Sequence, residues 1–120
     1  MTPELIIERY VGPINGHGVL RLKGPLTTEN LSPFRNAVLG EDSTSTVILD
    51  LTDVPYIDSA GLGLLISAYV TRHKAGRTVV LTGVNKRVRK LFEITKVEPL
   101  FLMFPTLEDA IAALTGAANA

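Results

Sequence analysis

The residue types best suited to doing chemistry together stand at Asp58-Ser59-Ala60-Gly61-Leu62-Gly63, just beyond the apolar run at 47–51. An aspartate and a serine ahead of two glycines admit four readings. The first is a nucleophile elbow, G-x-S-x-G. The position two before Ser59 is Ile57, not glycine, and no motif ties either histidine, His17 or His73, to Ser59 as a base. Acyl transfer therefore lacks both its strained turn and its proton acceptor. The second is a phosphate cradle, but no GK[ST] follows the glycines, so this is not a Walker loop. Two glycines early in a helix rather permit close approach to a sheet or to a partner. The third is a plain helix cap by Asp58 or Ser59, worth about 0.5–2 kcal/mol. The fourth is covalent phosphorylation of Ser59. A phosphate adds about −1.5 to −2 charges at pH 7. A helix N-terminus tolerates that charge, whereas a partner docking there meets repulsion and a desolvation penalty. From the residues alone, cap and switch both stay open.

The elements that must position this stretch follow from periodicity. Residues 4–11 carry Leu5, Ile7 and Val11 on one alternating face, the pattern of a half-buried strand. Gly12, Pro13, Asn15 and Gly16 then make a turn. Residues 19–23 put Leu20 and Leu22 on one face with Arg21 and Lys23 on the other, completing an antiparallel hairpin. Gly24-Pro25 stops that strand. Asn30 or Ser32 caps a helix to about Leu39 with Leu31, Phe34 and Val38 inward, and Pro33 fits in its first turn. Residues 40–45 form a polar loop.

Residues 46–51 are apolar and β-branched, with no solvent-facing position before Asp50, which suits a central strand covered on both faces. Residues 53–58 connect, Pro55 preventing further strand. The helical pattern over 59–74 has Leu62, Leu65, Ile66 and Tyr69 as its stripe, and Gly76 ends it. Then come a strand at 78–82, a helix over 86–94 capped by Asn85 with Val88, Leu91 and Phe92 inward, and a strand at 100–104. A last helix is opened by Thr106, with Asp109 in the capping-box place and Leu107, Ala110, Ile111 and Leu114 buried. The order implies one α/β domain over residues 1–115, with a hairpin leading into buried strands and about four helices. A short flexible tail covers 116–120.

Composition excludes several functions. The 12 basic and 12 acidic residues give a formal net charge of +0, so bulk attraction to nucleic acid or acidic lipid is not expected. The basic run Lys86, Arg87, Arg89, Lys90 reads as a solvated helix face that could pair with an acidic partner. With no cysteine there is no disulfide, thiolate chemistry or cysteine-based zinc site, and neither a metal nor a cofactor is expected. The apolar stretch 60–70 is broken by Gly61, Gly63 and Ser67 and falls short of the roughly 20 residues a bilayer requires. The N-terminus has no signal-peptide pattern. A cytoplasmic protein, monomeric or weakly dimeric, is expected.

Residues 47–63, VILDLTDVPYIDSAGLG, resemble the signature of STAS-domain anti-sigma factor antagonists. The family pattern of an aspartate, the phosphorylated serine, a small residue and Gly-Leu-Gly falls on Asp58, Ser59, Ala60 and Gly61-Leu62-Gly63. The segment VRKLFEITKVEPLFLMFPTLEDAIAAL resembles the family's C-terminal half, so the likeness runs from about Leu5 to Leu114. It implies a STAS-like domain with a mixed sheet, an antiparallel hairpin followed by parallel strands. It also implies a non-catalytic protein that binds a GHKL-type anti-sigma factor serine kinase and so frees a sigma factor. The kinase would phosphorylate Ser59 and a PP2C-type phosphatase would reset it. Asp58, Ser59, Ala60, Gly61 and Gly63 would present the partner surface. Many relatives read Gly-Glu-Leu-Asp after the second strand, where this chain has Gly24-Pro25-Leu26-Thr27 without either carboxylate. Thr27 is then a turn or cap residue, or a contact near Ser59. The missing carboxylates leave a second reading, a non-switching STAS scaffold in a transporter or stress-signalling complex.

Overall fold

The computed structural model describes residues 4–12, 16–40 and 44–115; Pro13 and Asn15 of the first turn, positions 41–43 of the polar loop and the tail 116–120 lie outside the described residues. The strands are β1 (Ile6–Val11), β2 (His17–Lys23), β3 (Thr46–Asp53), β4 (Thr78–Thr82) and β5 (Leu102–Phe104). The helices are α1 (Leu31–Leu39), α2 (Ser59–Lys74), α3 (Lys86–Thr95) and α4 (Leu107–Thr115). In the sheet the strands lie in chain order, β1 antiparallel to β2 and every later pair parallel. Parallel neighbours need crossovers, and right-handed crossovers stepping in one direction must all lie on one face. Accordingly α1, α2 and α3 share a face, packed on Leu20, Leu22, Val47, Leu49, Leu51, Val79 and Leu81. The other face carries α4, whose Ala110, Leu107, Ile111 and Leu114 cover Val19, Ile48 and Val80.

The central strand β3 is buried on both sides from Thr46 to Leu51, which explains its unbroken apolar run. Asp50 corrects the sequence expectation, since it is buried, 2% exposed. It points to the α4 face beyond the end of that helix. Its carboxylate accepts from Thr52 N–H (3.1 Å) and the Thr52 (2.6 Å) and Thr82 (3.3 Å) hydroxyls, and pairs with Arg21 Nε at 3.1 Å. Burial pushes this carboxyl up. The Thr52 hydroxyl and amide together with Arg21 outweigh it and hold the group below its ordinary value, so it stays charged.

Other boundaries move for local reasons. Val11, on the edge strand β1, is 80% exposed rather than part of a buried stripe. Asn30 occupies the N-cap position of α1 without capping it; its amide instead donates to Pro25 O at 3.0 Å. Ser32 lies inside the helix. A 3-10 turn at Glu98–Leu100 displaces the start of β5 to Leu102. The hairpin strands run Ile6–Val11 and His17–Lys23, and β3 continues to Asp53. Asn85 and Thr106 act as expected, accepting from Val88 N–H (2.8 Å) and Asp109 N–H (3.0 Å). At the end of α2, Gly76 takes a left-handed φ of 74° while its N–H donates to His73 O, which side chains other than glycine reach only with strain.

Candidate functional site

The site forms where two chain segments leave the sheet side by side. After β2 the backbone runs along the connection that follows β3. Gly24 N–H donates to Asp53 O (3.0 Å), Leu26 N–H to Tyr56 O (3.1 Å) and Asp58 N–H to Leu26 O (3.2 Å), with Leu26 and Ile57 in a parallel bridge. Leu26 and Ile57 are buried in the core, so this junction is anchored from below.

On that base Asp58 has two jobs. It is the N-cap of α2, extended at φ −93° and ψ −178°, and its Oδ1 accepts from Gly61 N–H at 2.9 Å. Its Oδ2 accepts from Thr28 N–H at 3.0 Å and from the Thr28 hydroxyl at 3.2 Å. One carboxylate thus ties the helix start to the segment after β2. The Gly61 N–H, then the Thr28 N–H, hold the Asp58 carboxyl below its ordinary value.

A pH dependence follows with a definite sign. Because the folded value is depressed, the stabilisation is fully present above the ordinary value of 3.8 and is lost as pH falls through the lower folded value. We expect Asp58→Ala to lower stability by about 0.5–2 kcal/mol near neutral pH. Urea titrations of both proteins should show that gap narrowing as the pH is lowered below 3.8. A gap independent of pH would mean that the carboxylate's charge does not make these bonds.

Ser59 follows as the first residue of α2 and its side chain is exposed. Ala60 is half-buried and Gly63 is exposed, with nothing within 4 Å of where a side chain would begin. Gly61 corrects the expectation of a surface position. It is buried, and an added Cβ would press into the Leu26 carbonyl and lie 2.9 Å from Ile57 Cγ2. Its lack of a side chain lets α2 seat on the junction. Thr27 is half-buried at the start of a 3-10 turn, Thr28–Asn30, with no side-chain cap bond. Its carbonyl accepts from Asn30 N–H at 2.9 Å, and Thr28 makes the contact to the serine-bearing turn. Sequence reasoning passed over Thr28. No local pattern marks Thr28, because its partner Asp58 stands 30 residues further along the chain.

The histidines lie elsewhere. His17 opens β2 beside Thr46, at the opposite end of the sheet from Ser59. His73 is in the last turn of α2, about 14 residues and roughly 21 Å along the helix from Ser59. A serine hydrolase geometry is absent among the described residues. No group of three or more His, Asp or Glu there could hold a metal ion, and no helix there is long and apolar enough to cross a membrane.

Known proteins share this architecture. An anti-sigma-B factor antagonist of Staphylococcus aureus is 33% identical over 76 residues, 63% of this chain and 66% of that protein. The chain thus spans just under two thirds of that relative's length. A Thermotoga maritima protein, solved as a candidate anti-sigma factor antagonist, superposes with a TM-score of 0.81 at 21% identity, covering 89% of this chain and 92% of the other. The Bacillus cell fate determinant SpoIIAA, in its phosphorylated form, superposes with a TM-score of 0.71 at 20% identity, covering 91% and 99%. At such identities the two structures speak to the fold: the same mixed sheet and packed helices. Residues 11–110 match the STAS domain. Over residues 11–110, this chain belongs to the STAS domain family.

Proposed function

We propose that this chain is an anti-sigma factor antagonist controlled by phosphorylation of Ser59. In its unmodified form it binds a GHKL-type anti-sigma factor serine kinase and frees the sigma factor that the kinase holds. The kinase transfers the γ-phosphoryl group of ATP to the Ser59 hydroxyl, and a PP2C-type phosphatase hydrolyses the phosphoester. The observation that carries this reading is the presentation of Ser59. Its hydroxyl is exposed on the first turn of a 16-residue helix, on a junction locked by Asp58. A partner can reach the hydroxyl without local unfolding. The added charge sits where the helix dipole favours an anion, so the fold survives modification while the surface changes sign.

The relatives support the same role, since the Staphylococcus protein carries the antagonist name and SpoIIAA has been solved phosphorylated. Thr28 bears on the missing carboxylates. With Pro25 and Thr27 in the acidic places, Asp58 itself is the carboxylate beside Ser59, oriented by Thr28.

Incubation with candidate anti-sigma factor kinases and Mg-ATP, followed by peptide mass spectrometry, is expected to place one phosphate on Ser59 and none on Ser59→Ala. Failure with every such kinase, while a relative is phosphorylated in parallel, would overturn the switch and leave the scaffold role.

A further inference from the structure

Beside the Ser59 turn runs a groove of about 390 Å³, between the connection after β3 and helix α3. Its walls are fixed. The Asn85 side chain caps α3, and its amide also donates to Val54 O (3.0 Å) and Pro55 O (3.2 Å), tying the helix to the connection. Ile57 and Leu91 line it, Ile94 is 66% exposed in its lining, and Asp58 belongs to it next to Ser59. Arg87 and Lys90 complete the lining, the Arg87 guanidinium lying 4.9 Å from the Tyr56 ring centroid.

The charges on α3 are poorly placed for the isolated domain. Lys86 and Arg87 occupy the first turn, where the helix dipole disfavours cations and no acidic residue offsets them. Lys86 and Lys90 are like charges at the i, i+4 spacing. Among the described residues the one ion pair of this helix is Arg89 with Glu98, 3.4 Å apart, so Lys86, Arg87 and Lys90 have none. A chain of zero net charge that gathers cations without ion pairs around an exposed isoleucine has a surface complementary to carboxylates flanking an apolar side chain.

We infer that this groove docks an acidic segment with one apolar anchor, carried by the protein that acts on Ser59. The inference rests on the switch reading and names the chemistry of its partner. Carboxylates of the segment meet Arg87 and Lys90, and the anchor packs on Ile94 and Leu91. Phosphorylation at Ser59 then places a second negative charge next to Asp58 at the same groove, so modification repels the segment that brought the kinase.

Two measurements test this separately. The first uses the whole 15N-labelled chain titrated with the peptide Glu-Glu-Glu-Leu-Glu-Glu-Glu. Amide shifts should concentrate at residues 56–58 and 86–94, weaken with salt, and fall at least about tenfold in affinity in Arg87→Glu/Lys90→Glu. Shifts elsewhere, no binding, or equal binding of a poly-lysine peptide or a single-stranded oligonucleotide would overturn the groove. The second uses the kinase found to phosphorylate Ser59. Arg87→Glu/Lys90→Glu and Ile94→Ala should each weaken binding, with circular dichroism showing that both fold. Full kinase affinity in both variants alongside loss in Ser59→Asp would sink the groove and leave the switch intact. Peptide docking without phosphorylation by any kinase would sink the switch, and with it the assignment of the groove to a kinase.

Discussion

Gly61→Ala is expected to be destabilising and Gly63→Ala stabilising, although the two glycines stand two residues apart in the same helix. An alanine in place of glycine inside a helix ordinarily gains about 0.5–1 kcal/mol. At Gly63 nothing lies within 4 Å of the new methyl group, so that gain should appear undiminished. At Gly61 the methyl group would press into the Leu26 carbonyl, with Leu26 C at 3.0 Å and Ile57 Cγ2 at 2.9 Å. The chief obstacle is backbone held in the Leu26–Ile57 bridge and by the Asp58 N–H···O bond to Leu26, so it cannot swing aside as a side chain can. Overpacking of this kind costs about 1–3 kcal/mol, which exceeds the propensity gain. Urea denaturation should order the proteins Gly63→Ala, wild type, Gly61→Ala from most to least stable. Equal stability of the two variants would show that the helix start is not seated against Leu26. Because the strain falls on the turn that presents Ser59, Gly61→Ala should also slow phosphorylation, and Gly63→Ala separates that effect from a general change in helix stability.

The second large effect is on partner binding. Ser59→Asp should weaken affinity for the kinase by about 100-fold, or roughly 2–3 kcal/mol, while Ser59→Ala should stay within a few-fold of wild type. The physical basis is like-charge crowding against a desolvated contact, since the new carboxylate adjoins Asp58, which is already held ionised by Gly61 and Thr28. The folded protein alone should tolerate the change. Ser59 is exposed, and attraction to the helix N-terminus, about 0.3–1 kcal/mol, opposes repulsion from Asp58. Calorimetry on the three proteins, with thermal melts as a control for folding, decides the matter. Equal kinase affinity for Ser59→Asp and Ser59→Ala with unchanged melts would remove charge as the switch.

The strength of the pairing around Asp58 also explains why these effects can be read separately. The carboxylate binds two backbone N–H groups and one hydroxyl, none of them from Ser59. The residue to be modified and the residues that hold the turn are therefore different, and Ser59 can change chemically without loosening the cap.

Sequence alone determined the features that depend on local periodicity and composition. The apolar run of β3, the stripe Leu62, Leu65, Ile66 and Tyr69 and the caps Asn85 and Thr106 were legible because each acts within a few residues of chain. The start and end of α2 at Ser59 and Lys74 were legible for the same reason. The motif around Ser59 and its family were legible from the residue types of one short stretch. What tertiary structure decided are relations between segments distant in the chain. Asp50 reads as polar and solvent-facing in its strand, yet Arg21, 29 residues away, and Thr82, 32 residues away, offset the electrostatic penalty of its burial. Thr28, and not Thr27, donates to Asp58, a residue 30 positions further along the chain. Gly61 and Gly63 are indistinguishable as letters in a helix; one faces the Leu26 carbonyl and the other open space. In each case a hydrogen bond or a steric contact is set by which backbones lie side by side, and periodicity within a single segment carries no information about its neighbour.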